Sequence, residues 1–122
     1  SISVNEKVMM SRIDQQIRVN KMMVDIYAQH EEESLPEPLR EYLFHYLSTI
    51  TTVTSVLLIK MNTEEAQEKR TDLWAYIEEN SPGVYQKMKH TRLGKLSSSS
   101  GKISESLTKT GYKIAQKWYG FN

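Results

Sequence analysis

The residues of this chain that could do chemistry fall into three sets: the histidines, two adjacent carboxylate pairs, and a group of lysines followed by aromatics. His30, His45 and His90 are the only histidines. No second His stands at H-x3-H spacing and no HExxH occurs, whereas a metal site needs several converging ligands. His45, between Tyr42 and Tyr46, reads as a packed histidine with one hydrogen bond. Glu64/Glu65 and Glu78/Glu79 are neighbours in sequence. On a helix such neighbours diverge, which suits solvation and not shared acid–base work. The patterns G-x-S-x-G, G-x-x-x-x-G-K-[ST], G-x-G-x-x-G and D-x-D are all absent, which removes the commonest nucleophile elbows and phosphate cradles. The expectation is therefore no catalytic residue, no metal and no cofactor within this chain.

The third set is Lys102, Lys109, Lys113 and Lys117 with Trp118, Tyr119 and Phe121, and its chemistry is contact with anions. Residues 1–85 hold 8 Lys/Arg against 14 Asp/Glu, a balance of −6; residues 86–122 hold 8 Lys/Arg against Glu105 alone, a balance of +7. The formal net charge of +1 hides that split. A basic, aromatic-tipped tail on an acidic body suggests an anionic surface, a membrane or another part of a larger protein. Three readings of the tail stay open. In one, its Ile/Leu/Trp stripe packs on the body with the lysines in water. In another it lies on an anionic membrane. Nucleic acid is the third, disfavoured because the rest of the chain is acidic and shows no base-reading helix.

The elements that must position these residues are helical. Gly and Pro number only 5 and 3, they cluster between segments of helical patterning, and no strand-like alternation is convincing. A first helix is predicted over about residues 4–30, with Ser3 and Glu6 at capping-box spacing. Its apolar stripe is Met9, Ile13, Ile17, Val24 and Tyr27, and Asp14 and Arg18 are spaced to pair on its outer face. Pro36-Glu37-Pro38 opens a second helix. Asn62 or Thr63 caps a third, whose apolar face is Ala66, Leu73, Trp74 and Ile77. Ser81 and Pro82 read as N-cap and N1 of a short fourth over residues 83–90, with Val84, Tyr85 and Met88 inward. The Ser97-Ser98-Ser99-Ser100-Gly101 run reads as a hinge, and residues 102–119 as a basic amphipathic helix with Ile103, Leu107, Ile114 and Trp118 on one stripe.

The 122 residues, 39% hydrophobic and 25% charged, fit one domain able to bury a core. The absence of Cys excludes disulfides. Residues 42–59 carry no formal charge, which touches the lower bound of a membrane span. Ser48, Thr49, Thr51, Thr52, Thr54 and Ser55 interrupt that run, so a buried central helix is the preferred reading over a span. The chain opens Ser1-Ile2-Ser3, without Met or a signal-peptide pattern, and reads as an excised piece of a longer protein, with N-terminal processing as the alternative.

Three segments together carry a family resemblance. Asp72-Leu73-Trp74-Ala75-Tyr76-Ile77, Ser81-Pro82-Gly83-Val84-Tyr85-Gln86-Lys87-Met88 and Gly111-Tyr112-Lys113-Ile114-Ala115-Gln116-Lys117-Trp118-Tyr119-Gly120-Phe121-Asn122 resemble the C-terminal region of bacterial family 2 glycosyltransferases, builders of capsule, exopolysaccharide and other cell-surface glycans. Ser1-Ile2-Ser3-Val4, Arg12-Ile13-Asp14-Gln15-Gln16-Ile17-Arg18-Val19 and Leu35-Pro36-Glu37-Pro38-Leu39-Arg40-Glu41-Tyr42-Leu43 are similar to earlier segments of the same region. The resemblance implies sugar transfer from a nucleotide-diphosphate donor to a lipid-linked glycan at the inner membrane face. That work would fall to a GT-A domain upstream of Ser1, with a D-x-D metal site and an Asp base, so no catalytic residue carries over to this chain.

The expectation is an all-α bundle of about five helices: residues 1–96 a helical body, 97–101 a hinge, and 102–122 a tethered basic helix. Its core would be Ile13, Ile17, Val24, Tyr27, Leu43, Leu47, Ile50, Val53, Leu57, Leu73, Trp74 and Ile77. Its role would be non-catalytic, in the cytoplasm or peripheral at the inner membrane face. Its partners would be an upstream catalytic domain, an anionic membrane surface or a second copy. The alternative is a free-standing helical protein-interaction module.

Overall fold

The computed structural model describes residues 4–30 and 35–90, and these form an all-α body. Four helices follow one another: α1 (Val4–His30), α2 (Glu37–Met61), α3 (Glu64–Asn80) and α4 (Pro82–Lys89). Among the described residues there is no strand. Residues 31–34, the expected Ser3 cap, the expected hinge at 97–101 and the expected fifth helix lie outside the described residues.

Local sequence explains where the helices start and stop. The Pro36 carbonyl accepts from the amides of Leu39 and Arg40, opening α2 with Pro38 in its first turn. Asn62, one of the two candidate caps for α3, instead ends α2. It sits in the left-handed region at φ 51°, and its amide donates to the Ile59 carbonyl. Asn tolerates that conformation better than most residues with a β-carbon. Thr63 next to it is the α3 cap, its hydroxyl accepting from the Ala66 amide at 3.1 Å. Ser81 does hold the N-cap position of α4, but its hydroxyl makes no capping bond. What Ser81 supplies is backbone: its amide donates to Ile77 and its carbonyl accepts from Tyr85, joining α3 to α4 through one residue.

Two apolar clusters hold the body together. The larger takes Val24 from α1, Phe44, Leu47 and Ile50 from α2, Leu73, Trp74 and Ile77 from α3, and Val84 and Met88 from α4. The other gathers Ile13 and Ile17, Val53, Leu57 and Leu58, and Ala66, from α1, α2 and α3. Each fully buried Leu or Ile stabilises the fold by roughly 1.5–3 kcal/mol relative to exposure. Ten of the twelve expected core residues are buried; Tyr27 and Leu43 are half-buried at the edge. Beyond those twelve the core also holds Phe44, Val56 and Leu58, together with Ala66, Val84 and Met88 from the expected inward faces of α3 and α4.

The uncharged run lies inside α2, which by length and composition could cross a membrane, with a mean hydropathy of 1.4 over its best window. Its hydroxyls are satisfied by their own helix: Thr52 donates to Ser48, Thr54 to Ile50 and Ser55 to Thr51, each to a carbonyl at 2.7–2.8 Å. Such back-bonding makes Ser and Thr tolerable in any apolar surroundings, so their number weighs less against a span than composition suggests. What α2 has instead is protein around it. It packs on α1 and α3, and every residue from Thr51 to Leu58 is buried.

Candidate functional site: a polar seam, a groove and a basic end

Between the two clusters runs a line of buried polar groups. Asn20 stands in the apolar stripe of α1, at i+3 from Ile17 and i−4 from Val24, and is fully buried. Its amide donates to the Thr51 hydroxyl at 3.0 Å. One residue pair along, the Trp74 indole donates to the Ser55 hydroxyl at 2.9 Å, while Ser55 itself donates to the Thr51 carbonyl. The seam thus ties α1 and α3 to the same turn of α2. Gln16 Nε2 and Asn20 Oδ1 are buried without a hydrogen-bond partner among the described residues, as is Ser81 Oγ. Each such group costs roughly 1–3 kcal/mol, so the seam fixes register more than it adds stability. Sequence reasoning passed over Asn20; a polar residue in a core-phase position of α1 is the signal that could have found it.

The outer face of the α1–α3 contact is stitched by ions. Lys21 pairs with Asp72 at 2.8 Å, and Lys69 pairs with Asp14 and, at 3.5 Å, with Glu65. Asp14 is therefore taken by α3, and the expected Asp14–Arg18 pair within α1 is superseded by a partner 55 residues away. Burial pulls the Lys69 ammonium down, and the hydrogen bond and charge of Asp14 with those of Glu65 outweigh it, leaving the pKa above the usual lysine value. The Tyr76 hydroxyl donates to Asp25 at 2.6 Å. That hydrogen bond first, then desolvation and the nearby carboxylates, pushes the phenol up. Tyr85 is pushed up in the same way by Glu78. Burial lowers Arg70.

The described residues form concavities at both ends of this body. One, of about 870 Å³, lies where the ends of α1, α2 and α3 meet; Met9, Met10, Leu57 and Met61 line it, with Lys7, Lys60, Asp14 and Glu65 around them. The other, about 150 Å³, is bounded by Tyr27, His30, Leu35, Arg40 and Leu43. Among the described residues no three His, Cys, Asp or Glu gather to hold a metal ion.

The candidate residues fare differently. His45 is exposed, its ring edge-on to the neighbouring Phe44 at 6.2 Å. The packed histidine expected from sequence is thus corrected: residue 45 points away from the buried stripe that Phe44 and Leu47 define. Glu64, Glu65, Glu78 and Glu79 are all exposed. Lys102, Lys109, Lys113, Lys117, Trp118, Tyr119 and Phe121 lie outside the described residues. The beginning of the basic stretch is described, and it is anchored to aromatics: the Lys87 ammonium sits 4.1 Å from the Phe44 ring centre and Lys89 5.6 Å from that of Tyr85.

Comparison with protein-family models, with curated proteins and with solved structures gives no match. The glycosyltransferase resemblance therefore stands on its motifs alone. Two of those motifs turn out to be one packing unit. Leu73, Trp74 and Ile77 of the first, and Ser81, Val84 and Met88 of the second, are the buried residues of the α3–α4 corner. Trp74 and Tyr85 meet edge-to-face there, with ring centres 6.2 Å apart.

Proposed function

We propose that this chain is a non-catalytic helical accessory region of a glycosyltransferase, one that transfers sugar from a nucleotide-diphosphate donor to a surface polysaccharide. The observation that carries the reading is the charge split, −6 over residues 1–85 against +7 over residues 86–122. An acidic body with a basic end is built to set one side against an anionic surface. In this reading the catalytic GT-A domain lies upstream, the location is the cytoplasm at the inner membrane face, and the lysines at 102, 109, 113 and 117 are the contacts. The motif resemblance supports the parent enzyme, and the α3–α4 corner gives two of its motifs a packing reason. Flotation of the full chain with vesicles tests the membrane contact. Binding to phosphatidylglycerol-containing vesicles but not to phosphatidylcholine alone, lost at about 0.5 M salt, is the expected result. Equal or absent binding to both would sink it. The parent enzyme is tested by the gene: a reading frame entering a D-x-D-containing βαβ stretch before Ser1 supports it, and a start codon just before Ser1 contradicts it.

A second reading, a helical module that binds another protein or a second copy of itself, is favoured by an apolar stripe on the outside of α1. Val8, Val19, Met22 and Ile26 are 47%, 47%, 56% and 42% exposed. The last three recur at i, i+3 and i+7, the spacing of a helix–helix seam. Light scattering tests the self-associating form: a dimer lost in Met22→Glu supports it, and a monomer at every concentration contradicts it.

A further inference from the structure

The face of α1 turned away from the body has a regular step. Val8, Arg12, Gln15, Val19, Met22 and Ile26 are all exposed and follow one another by four, three, four, three and four residues. That alternation is the period of a seam between two helices. Its apolar members are Val8, Val19, Met22 and Ile26, and the last three stand together in the C-terminal half of α1. Ile13, Ile17 and Val24 already serve the core from the opposite face, so the outer stripe is a second seam on the same helix.

Charge beside the stripe says which way a second helix would run. Arg18 and Asp25 are exposed and flank it on one side, seven residues apart. That is about 10 Å along the helix, too far for them to pair within one chain. Asp14, the carboxylate within a turn of Arg18 on α1, is taken by Lys69 of α3. Asp25 is steadied by the Tyr76 hydroxyl at 2.6 Å, and a carboxylate can accept more than that one bond. Suppose two α1 helices lie antiparallel, Val19 of each against Met22 of the other. Gln15 then meets Ile26, Arg12 falls opposite the neutral Gln29, and Arg18 of each copy comes beside Asp25 of the other. Twofold symmetry makes that ion pair twice. A parallel pair would set Arg18 beside Met23 instead and gain no such bond.

We infer that the outer face of α1 docks on the same face of a second copy, antiparallel, with Arg18 and Asp25 paired across the seam in both directions. This rests on the self-associating form of the second reading above and adds to it the direction and register of the partner.

The test is a charge exchange in the full chain, followed by sedimentation equilibrium, with circular dichroism to show that each variant is folded. Arg18→Asp or Asp25→Arg alone sets like charges together twice and should weaken the dimer at least about tenfold. Mixed in equal amounts, the two variants should regain most of the lost affinity, because both cross pairs are again opposite in sign. A second readout leaves both charges in place and uses the absence of Cys. Gln15→Cys and Ile26→Cys chains, mixed and oxidised, should link to each other and far less to themselves, as mass spectrometry distinguishes. A parent chain that is monomeric at every concentration removes the self-associating reading and this inference with it. A dimer whose charge variants do not recover on mixing overturns the antiparallel pairing and leaves self-association standing. Gln15→Cys and Ile26→Cys chains that link chiefly to themselves do the same.

Discussion

The two halves of α2 live in different surroundings although one uncharged run, residues 42–59, reaches into both. Over residues 37–46 the helix is one-sided: Phe44 is buried and Leu43 half-buried, while Leu39, Tyr42, His45 and Tyr46 face outward. From Thr51 to Leu58 it is enclosed on every side. The difference teaches that hydropathy reports how much of a helix is covered and not by what. The enclosed half reads like a membrane span because protein surrounds it much as lipid would, and its hydroxyls turn back on their own carbonyls as they would in a bilayer.

The sharpest way to break this comparison is to remove side chains from each half. Leu58→Ala in the enclosed half should destabilise the fold by about 2–5 kcal/mol in urea unfolding. Tyr42→Ala, on the same helix but 65% exposed, should stay within about 0.5 kcal/mol. Similar losses at the two positions would erase the distinction. Next comes the polar seam. Asn20→Ala leaves the Thr51 hydroxyl without its donor and should cost about 1–3 kcal/mol. The double variant Asn20→Leu/Thr51→Val removes both partners, and its unfolding midpoint should return most of the way to that of the parent protein.

Caps sharpen the comparison at the two ends of α3. Thr63→Ala, beside the enclosed half, removes a bond to the Ala66 amide and should cost about 1 kcal/mol. Ser81→Ala, at the other end, should cost little, since that hydroxyl is buried without a partner and caps nothing. The smallest effect is electrostatic. Lys69, near the enclosed half, and Tyr76 and Tyr85, near the one-sided half, all have pKa values raised in the fold. A raised folded value means the fold holds the proton more tightly than the unfolded chain. That contribution is complete below the model-peptide values of 10.0 and 10.5 and is lost as pH climbs through the folded ones. Urea midpoints should therefore fall above about pH 10, and Tyr76→Phe should flatten part of that fall. All three groups are close to solvent, so the change is small.

Much of the fold was legible because helix signals are local. The bounds of α1, the Pro-led start of α2, the Thr63 cap and the one-residue α3–α4 corner all follow from short patterns that act within a turn or two. Ten of the twelve core positions followed from periodicity in the same way. The misses are long-range. Asp14 has a well-spaced partner in Arg18, and nothing local says that Lys69 will come closer. His45 between two tyrosines suggests packing, yet its phase on α2 carries it outward. Asn62 and Thr63 were both suited to cap α3, and the left-handed turn divided them between two helices. The candidate contact residues at 102–121 lie outside the described residues.

Amide hydrogen exchange, followed residue by residue in the full chain, tests the central claim most directly. If Thr51 to Leu58 are enclosed, their amides should be among the slowest in the protein and exchange only through global unfolding. Those of Tyr42 to Tyr46 should exchange at least about tenfold faster through local opening. Equal rates along α2, or faster exchange in residues 51–58, would contradict the account.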